Sequence, residues 1–297
     1  MNITKIVSLI CFFCLRVFAF TDSNGFQSTE FQRYNIQYFS LDNTYKIALT
    51  FDDGPGKGTE KILNLLKKYD VKATFFVLGN QVKNHAHLTR RIVSEGHLLA
   101  NHSYTHPQLA KDSYRAHPEL LLEELKKTHT LIKPYLNEQN EYYFRAPYAS
   151  WSEDNAKILN QDPELRKYIG PVCWDVGRKI EIYDDQLIDA ADWECWDKSH
   201  RFTTKECASG YFNALENLKG GVVLMHDIHL KTADMLEILL PELIQQGYSF
   251  VTLEQIQELK KYDNESGDFV YQPQVDSISN SQYKGRCLLK KKPTMSL

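Results

Sequence analysis

Short apolar runs rich in β-branched and aromatic residues alternate along the chain with longer amphipathic stretches. Lys46–Phe51 and Lys72–Leu78 are predicted strands, and Glu60–Tyr69 between them carries apolar residues at helical spacing. The alternation continues to Gly221–Met225, a predicted buried strand, which is followed by a helical pattern over Thr232–Gln246. Strands and helices in this order are typical of repeated βα units around a parallel sheet. The pattern therefore predicts an α/β fold.

The same periodicities predict further strands and helices. Strands are predicted at Tyr142–Arg145, Val172–Val176 and Phe250–Leu253, and helices at Leu88–Glu95, Glu119–Ile132 and Leu253–Lys260. The alternation thus covers residues 46–260, which we predict to form one domain. An N-terminal extension over residues 20–45 and a polar C-terminal tail over residues 261–297 flank it.

The N-terminus has the features of a secretion signal. An apolar run from Ile6 to Phe18 follows the basic Lys5 and is too short to span a bilayer. Val17-Phe18-Ala19 then resembles the small-residue pattern that signal peptidase accepts. We predict a removable signal over residues 1–19, and an uncleaved N-terminal anchor is the alternative. Under either reading the protein is exported, and is periplasmic or secreted.

Charge excludes one class of partner. The formal net charge is −3, and lysines and acids are interspersed along the 297 residues. No broad basic face of the kind that grips nucleic-acid phosphates is predicted, so nucleic acid is not an expected partner. The run Lys290–Lys292 is predicted to be a solvated part of the tail.

Four cysteines follow the predicted signal, namely Cys173, Cys195, Cys207 and Cys287. Export permits disulfides, and four cysteines allow three pairings. Cys195 with Cys207 is the favoured pair because both lie in one polar stretch. Unpaired, partly buried thiols are the alternative.

The first predicted strand ends in two adjacent carboxylates, Asp52 and Asp53. Two ionised carboxylates side by side repel each other, so the pair is costly unless a cation or hydrogen-bond donors compensate. On a regular strand the two side chains would also point to opposite faces. A turn at Gly54-Pro55 can rotate one toward the other, so that one binds a metal while the other acts as a base. A simple turn or helix cap is the alternative.

His102 and His106 follow the short apolar run Leu98–Ala100. Their spacing places two imidazoles about one helical turn apart, close enough to share one metal ion. With a carboxylate from elsewhere they would form a three-ligand site that keeps a position for water, as catalytic zinc does. A chance spacing of surface histidines is the alternative, and His226 with His229 is a weaker rival pair.

Two further strand ends carry candidate chemistry. Arg145 can fork onto a carboxylate and hold it ionised, and Pro147 fixes the backbone so that a following N–H can face an oxyanion. His226 ends the run Val222–His226, where it can protonate a leaving amine. An ordinary strand exit and a structural histidine are the respective alternatives.

In this order the motifs resemble those of the polysaccharide deacetylase family, also called the NodB homology domain or carbohydrate esterase family 4. They are Thr-Phe-Asp-Asp-Gly, His-Ser-x-x-His, Arg-x-Pro-Tyr and Leu-x-His. Their ordered occurrence is far more specific than any one of them. The resemblance covers roughly residues 46–260 and implies that this domain is catalytic. It also implies a distorted (β/α)7-type barrel with parallel strands and outer helices.

The resemblance assigns a metal centre and a base. Asp53, His102 and His106 match an Asp-His-His triad for a divalent metal, with Zn²⁺ the expected ion. Asp52 matches the catalytic base, and Arg145 matches the arginine that orients it.

The resemblance also assigns the groups that contact the reacting substrate. The backbone N–H of Tyr148 matches the oxyanion donor. Leu224 resembles a wall of the acetyl pocket, and His226 resembles the general acid.

The fourth family motif departs from the usual pattern, which has two aspartates two residues apart and a tryptophan after the second. Here Trp174-Asp175-Val176 is followed by Gly177 where the first aspartate is expected, and Asp192-Trp193 comes only after an apparent insertion over Arg178–Ala191. We assign Asp192 as the carboxylate that polarises His226 and Trp193 as part of the groove wall. Asp175 is a weaker rival for the role of Asp192.

Together these assignments predict a monomeric hydrolase that removes N-acetyl groups from an amino-sugar polysaccharide, with peptidoglycan N-acetylglucosamine favoured. A chitin or chitooligosaccharide deacetylase and an O-acetyl esterase on a xylan-type polymer would use the same machinery. A non-catalytic glycan-binding protein on the same fold is the alternative from another class, because a fold does not determine a function.

Overall fold

The computed structural model describes residues 41–136, 142–199 and 202–256. The predicted signal, most of the predicted N-terminal extension, Cys287 and the predicted tail lie outside these ranges. The end of the predicted extension packs on the domain, because Asn43 and Tyr45 donate backbone hydrogen bonds to the carbonyls of Leu218 and Lys219 at 2.8 and 2.7 Å. Within the described ranges, no helix has the length and apolar character needed to cross a membrane.

Strands and helices alternate through most of the described chain. The strands are β1 (Lys46–Asp52), β2 (Thr74–Val77), β3 (Leu98–Asn101), β4 (Tyr142–Tyr143), β5 (Tyr168–Ile169), β6 (Glu181–Tyr183), β7 (Gln186–Asp189), β8 (Gly221–His226) and β9 (Ser249–Phe250). The α-helices are α1 (Thr59–Lys68), α2 (Gly79–Asn84), α3 (Ala86–Ser94), α4 (Asp112–Ala116), α5 (Pro118–Ile132), α6 (Glu153–Asn160), α7 (Asp192–Cys195), α8 (Thr204–Leu218) and α9 (Leu230–Gln245). Short 3-10 helices lie at Lys133–Tyr135, Pro147–Ala149, Leu165–Lys167 and Leu253–Gln255.

The strands close into a barrel around β1. This strand pairs in parallel with β2 and with β8, its start pairs with β9, and β2 pairs in parallel with β3. A bridge from Asn101 to Phe144 continues the ring to β4, which pairs in parallel with β5. The chain after β5 then crosses to β8, where Val176 bridges Val223. The predicted distorted (β/α)7-type barrel, with parallel strands and outer helices, is confirmed.

The two-residue period of the strands divides the core into two layers. Inside the barrel, Ala48 of β1 packs in one buried cluster with Phe76 of β2 and Val222 of β8. The alternate residues, such as Leu49 of β1, join a second cluster with helix residues such as Leu239 of α9. Both faces of the sheet are therefore buried, which explains why the central strands are almost continuously apolar.

Several predicted elements differ from those observed. The predicted strand Val172–Val176 forms no regular ladder, because Val172 donates to the carbonyl of Phe144 whereas Val176 donates to that of Val222. This segment crosses between two strands and pairs fully with neither. The predicted strand Phe250–Leu253 is reduced to β9, and the predicted helix Leu253–Lys260 begins as a 3-10 helix whose continuation lies outside the described residues.

The apolar pattern did not predict α8. This helix begins with a capping box, in which Thr203 Oγ1 accepts the N–H of Glu206 and the Glu206 carboxylate accepts the N–H of Thr203. Its buried face includes Ala208, Gly210 and Ala214. Small residues can form the buried face of a helix without being strongly hydrophobic, so the helical period of apolar residues is weak in this part of the sequence.

The predicted insertion over Arg178–Ala191 folds largely into the antiparallel hairpin β6–β7, which lies against α8. A Cβ on Gly210 would lie 2.7 Å from the Cβ of Ala190, and Asn213 Nδ2 donates to the carbonyl of Leu187 at 2.7 Å. A disulfide joins Cys195 at the end of α7 to Cys207 in α8. The favoured cysteine pair is therefore confirmed, and α7 is tied to the helix that supports the hairpin.

We predict that truncating a buried residue of β1 destabilises the domain strongly. Ile47 is 0% exposed, so Ile47→Ala removes buried methylene groups and is expected to lower the free energy of unfolding by about 2–5 kcal/mol. Urea denaturation monitored by circular dichroism measures this change. Ile238→Ala on α9 is the matched control, because Ile238 is 42% exposed and its loss should cost less than about 1 kcal/mol. Equal losses for the two variants would contradict the assigned core.

Candidate active site

The candidate residues lie at the carboxyl ends of the barrel strands. Asp52 ends β1 and pairs in register with His226, which ends β8. His102 directly follows β3. Because the strands are parallel, these ends meet at one edge of the barrel, which is where the catalytic groups of α/β barrels collect.

The turn after β1 brings Asp53 to the same side as Asp52. Asp53 has a φ of 73°, in the left-handed region that aspartate enters more readily than most residues. This turn interrupts the strand alternation, and both carboxylates approach one imidazole. His102 Nε2 lies 3.6 Å from Asp52 Oδ2 and 3.4 Å from Asp53 Oδ1. The two carboxylates converge as expected, although the backbone already turns at Asp53, before Gly54.

Asp53, His102 and His106 could hold one metal ion. Their ligand atoms all lie within 4.8 Å of one another, and Asp53 Oδ1 lies 3.1 Å from His106 Nε2. Asp53 Oδ1 is buried, and no described residue gives it a well-aligned hydrogen bond. A carboxylate oxygen without such a donor, beside two imidazole nitrogens, is a donor set that suits a divalent cation.

Hydrogen bonding presents one nitrogen of His102 to this site. His102 Nδ1 lies 2.9 Å from the carbonyl oxygen of Arg145. Because a carbonyl can only accept, the proton is on Nδ1, and in the neutral ring Nε2 offers its lone pair toward Asp53. Metal-binding histidines are commonly fixed by such a bond from their other nitrogen.

The loop after β3 places His106. Asn101 Oδ1 accepts the N–H of Ser103 at 2.8 Å, and Ser103 Oγ accepts the N–H of His106 at 3.2 Å. Ser103 and His106 have φ values of 70° and 64°. The two histidines therefore meet on an irregular loop, with ring centroids 5.1 Å apart, and the expectation of one helical turn between them was wrong.

Local electrostatics keep Asp53 ionised. Burial raises its pKa, but the contacts with His102 and His106 lower it more, so the pKa of Asp53 lies well below its ordinary value. At neutral pH this side chain is a charged ligand.

Arg145 fixes one oxygen of Asp52. Its Nη1 donates to Asp52 Oδ1 at 2.8 Å and to Thr50 Oγ1 at 2.7 Å, and its Nε donates to the carbonyl of Val172 at 3.0 Å. Arg145 is 1% exposed and Asp52 is 3% exposed. A buried guanidinium held at several points fixes the position of this carboxylate oxygen. Asp52 Oδ2 remains on the side of His102.

Asp192 holds His226 through the ring and the backbone. Asp192 Oδ1 lies 2.7 Å from His226 Nδ1, while Oδ2 accepts the His226 N–H at 2.7 Å and the Thr232 hydroxyl at 2.8 Å. Burial lowers the pKa of His226, but the Asp192 carboxylate raises it more, and the net pKa is about 9. The ring is therefore protonated at neutral pH, and Nε2 is the nitrogen that Asp192 does not engage.

Neither rival assignment is supported. Asp175 Oδ2 accepts the N–H of Val222 at 2.8 Å, near the start of β8 and away from His226, so Asp175 is not its partner. Among the residues that the structure describes, Asp53 with its two histidines is the group suited to a metal, and the pair His226 and His229 is not.

Tyr148 lies beside the metal-binding group. Its φ is 57°, its side chain is 60% exposed, and its ring centroid lies 4.4 Å from that of His106. Leu224 is buried two residues before His226 on the same strand face. Trp193 is 47% exposed and directly follows Asp192. All three predicted substrate contacts therefore come from segments that carry, or touch, the charged residues.

Known proteins share these features. A family model described as polysaccharide deacetylase matches residues 42–163. The chain is 33% identical to the peptidoglycan-N-acetylglucosamine deacetylase PgdA of Listeria monocytogenes, over 71% of this chain and 38% of that protein. It is 32% identical to a chitooligosaccharide deacetylase of Rhizobium leguminosarum bv. trifolii, over 70% of this chain and 90% of that protein. The chain belongs to the polysaccharide deacetylase family.

A solved structure agrees with this assignment. Peptidoglycan deacetylase PdaC from Bacillus subtilis matches this protein with a TM-score of 0.53 and 31% identity, over 73% of this chain and 92% of that one. The aligned region spans only 38% of the Listeria protein. The family model covers Asp52, the metal-binding group and Arg145, but it ends before Asp192 and His226. The pairing of those last two residues rests on the geometry of this chain.

The role of Asp227 was missed by sequence reasoning. Its Oδ2 accepts the Thr59 hydroxyl at 2.5 Å, and its carbonyl accepts the N–H of Gly58 at 2.9 Å. A Cβ on Gly54 would lie 2.1 Å from the Asp227 carboxylate. This buried side chain therefore packs against the turn that carries Asp53 and fastens it to the end of β8. An aspartate directly after a strand-end histidine was the only signal in the sequence.

We predict that His102→Ala abolishes tight metal binding. Loss of an outer hydrogen-bond partner alone costs about 10–100-fold in metal affinity, so loss of a ligand should cost more than about 100-fold. Calorimetric titration of the purified chain with Zn²⁺ measures the affinity, and circular dichroism checks the fold. His229→Ala is the matched control, because this histidine is close to the site but outside the metal-binding group. If the folded His102→Ala variant bound Zn²⁺ with unchanged affinity, the assignment of His102 as a metal ligand would be wrong.

Proposed function

We propose that the protein is an exported, metal-dependent hydrolase that removes N-acetyl groups from peptidoglycan N-acetylglucosamine. The observation that carries this proposal is the convergence of a metal-binding group, a separately held carboxylate and a protonated histidine at one barrel edge. Amide hydrolysis requires an activated water, a base to take its proton and an acid to protonate the amine.

Asp53, His102 and His106 would hold the metal, for which we propose zinc. Two imidazoles and one carboxylate are a common ligand set of catalytic zinc, and they leave a position open for water. When bound, the ion would polarise the acetamide carbonyl and lower the pKa of water toward about 7.

Asp52 acts as the base in this mechanism. Arg145 engages its Oδ1, so Oδ2 takes the proton of the attacking water. Asp52 lies next to the metal-binding group without belonging to it, which leaves its basicity available for proton transfer.

Tyr148 and His226 act on the substrate side. The backbone N–H of Tyr148 donates to the oxygen that becomes negative when water adds to the carbonyl. His226 then donates a proton to the departing sugar amine, and acetate is released. Asp192 keeps the His226 ring charged and oriented for this step.

The substrate proposal draws on the relatives. The Listeria and Bacillus proteins are named as peptidoglycan deacetylases, and Leu224 and Trp193 are proposed as walls for the acetyl group and the sugar. The disulfide between Cys195 and Cys207 supports export to an oxidising compartment. A monomer is proposed. Chitooligosaccharide is the second candidate substrate, because it is named for the Rhizobium relative.

Acetate release tests this function directly. The purified chain loaded with Zn²⁺ is incubated with peptidoglycan, chitotetraose and acetylated xylan, and free acetate is measured enzymatically. We expect release from peptidoglycan above all, and its loss on treatment with a chelator. Preferential release from xylan would establish the O-acetyl esterase alternative, and no release from any substrate would refute catalysis.

We predict that Asp52→Asn removes turnover and retains the metal. An amide cannot take the water proton, so kcat should fall by about 10²–10⁴-fold, while the three ligands remain intact. Steady-state acetate release and zinc titration measure the two properties on one preparation. Asp185→Asn on the exposed hairpin turn is the matched control and should leave both unchanged. Near wild-type turnover in Asp52→Asn would show that another group is the base.

We predict that Asp192→Asn shifts the alkaline limit of activity to lower pH. His226 must be protonated to donate, so its activity is present below its pKa of about 9 and is lost as the pH rises through that value. Replacing Asp192 removes the carboxylate that raises this pKa, so activity should be lost at a lower pH than in the wild type. The profile of kcat against pH at saturating Zn²⁺ measures the shift. If the alkaline pH limit of activity stayed unchanged, the assignment of His226 as the general acid would be wrong.

A further inference from the structure

A cavity of about 570 Å³ lies beside the candidate active site. It is formed by the turn after β1, by α2 and the residue that follows it, and by the loop from β8 to α9. The turn after β1 closely follows Asp53, and the loop from β8 to α9 closely follows His226. At the cavity wall, burial lowers the pKa of His229, and the charges of Asp192, His226 and Asp53 also act on that pKa. The cavity is therefore within electrostatic reach of the proposed catalytic groups, although it contains none of them.

The cavity combines an apolar floor with a cationic rim. Trp196, Ile228 and Leu230 supply apolar surface, whereas Lys57 and Lys231 supply ammonium groups. Among the described residues that line the cavity, none has an acidic side chain. Lys57 and Lys231 have no ion pair with another described residue, so their charges are available to a ligand.

Two side chains at the cavity are held in place by neighbours. Trp196 Nε1 donates to Thr232 Oγ1 at 3.0 Å, and Lys231 Nζ lies 5.5 Å from the centroid of the Trp196 ring. This distance suits a cation–π contact, which holds the ammonium over the aromatic surface. An indole face and a fixed cation together suit a ligand that has both an apolar surface and a negative charge.

We propose that this cavity binds the acidic peptide stem of a peptidoglycan strand, next to the sugar that is deacetylated. The inference rests on the proposed function and narrows its substrate to glycans that carry carboxylate branches. Two lysines without lining acids are complementary to the carboxylates of such a stem, and the apolar floor is complementary to its aliphatic side chains. A neutral polymer such as chitin has no group that would use the two charges.

Binding to a variant that cannot turn over tests the proposal apart from catalysis. The zinc-loaded full-length Asp52→Asn chain is titrated calorimetrically with a disaccharide tetrapeptide from peptidoglycan, and with the same compound after its stem carboxylates have been amidated. We expect the free acid to bind about tenfold more tightly, since each exposed ion pair contributes modestly. Adding Lys57→Gln and Lys231→Gln should remove this preference. Lys67→Gln, at the far end of α1, is the matched control and should preserve it.

Turnover provides the second readout, in chains that retain Asp52. The Lys57→Gln, Lys231→Gln double variant should show about tenfold lower kcat/KM on the disaccharide tetrapeptide, mainly through KM, and unchanged kcat/KM on chitotetraose. Equal binding of the acid and its amide, or no effect of the two lysine substitutions, overturns the cavity proposal even if acetate is released. A lysine-dependent preference without any acetate release supports the cavity ligand and overturns the proposed function.

Discussion

Asp52 and Asp53 place two carboxylates on one barrel edge, and like charges so close are costly unless other groups compensate for each of them. Arg145 meets Asp52, and the imidazoles of His102 and His106 meet Asp53. These partners come from two segments, the loop after β3 and the residues after β4, that are distant from β1 along the chain. Without them the repulsion between the two carboxylates would not be offset. Compensation of this pair therefore depends on closure of the whole barrel.

The pairing of β1 with β8 sets the relation between the two halves of the proposed chemistry. Its register runs from Ile47 opposite Gly221 to Asp52 opposite His226. A slip by one residue would turn every β8 side chain to the other face, so His226 would leave the edge that Asp52 occupies. Asp227 adds a second connection between the same two segments. The contacts of Asp227 and the register of β1 with β8 therefore both fix the positions of Asp52, Asp53 and His226.

The sequence predicted most of the site because its motifs are local. Asp52 and Asp53, His102 and Arg145 each stand at the end of a run whose strand pattern is clear, and the order of these motifs matches that of the family. The pairing of Asp192 with His226 was assigned from that resemblance, since an insertion separates Asp192 from the predicted strand Val172–Val176. The geometry of this chain now supplies the contact itself.

What could not be predicted arises from packing. α8 was missed because small residues such as Gly210 make room for Ala190, and a small residue leaves little trace in a hydrophobic pattern. The role of Asp227 was missed for a related reason. It depends on the absence of a side chain at Gly54, and no linear spacing connects the two positions. The irregular segment over residues 172–176 is apolar like a strand, but its backbone bonds first to the residue after β4 and then to β8.

The bond between Cys195 and Cys207 closes a loop with a sequence separation of 12, and a crosslink of that span restricts the unfolded chain by roughly 3 kcal/mol. Its first cysteine lies three positions after Asp192, in the same short helix. Protein that folds in a reducing cytosol would lack this disulfide. The short helix that carries Asp192, the carboxylate partner of His226, would then have no covalent link to α8. The redox conditions during folding therefore affect the fraction of recombinant molecules in which Asp192 is correctly placed beside His226, independently of metal loading.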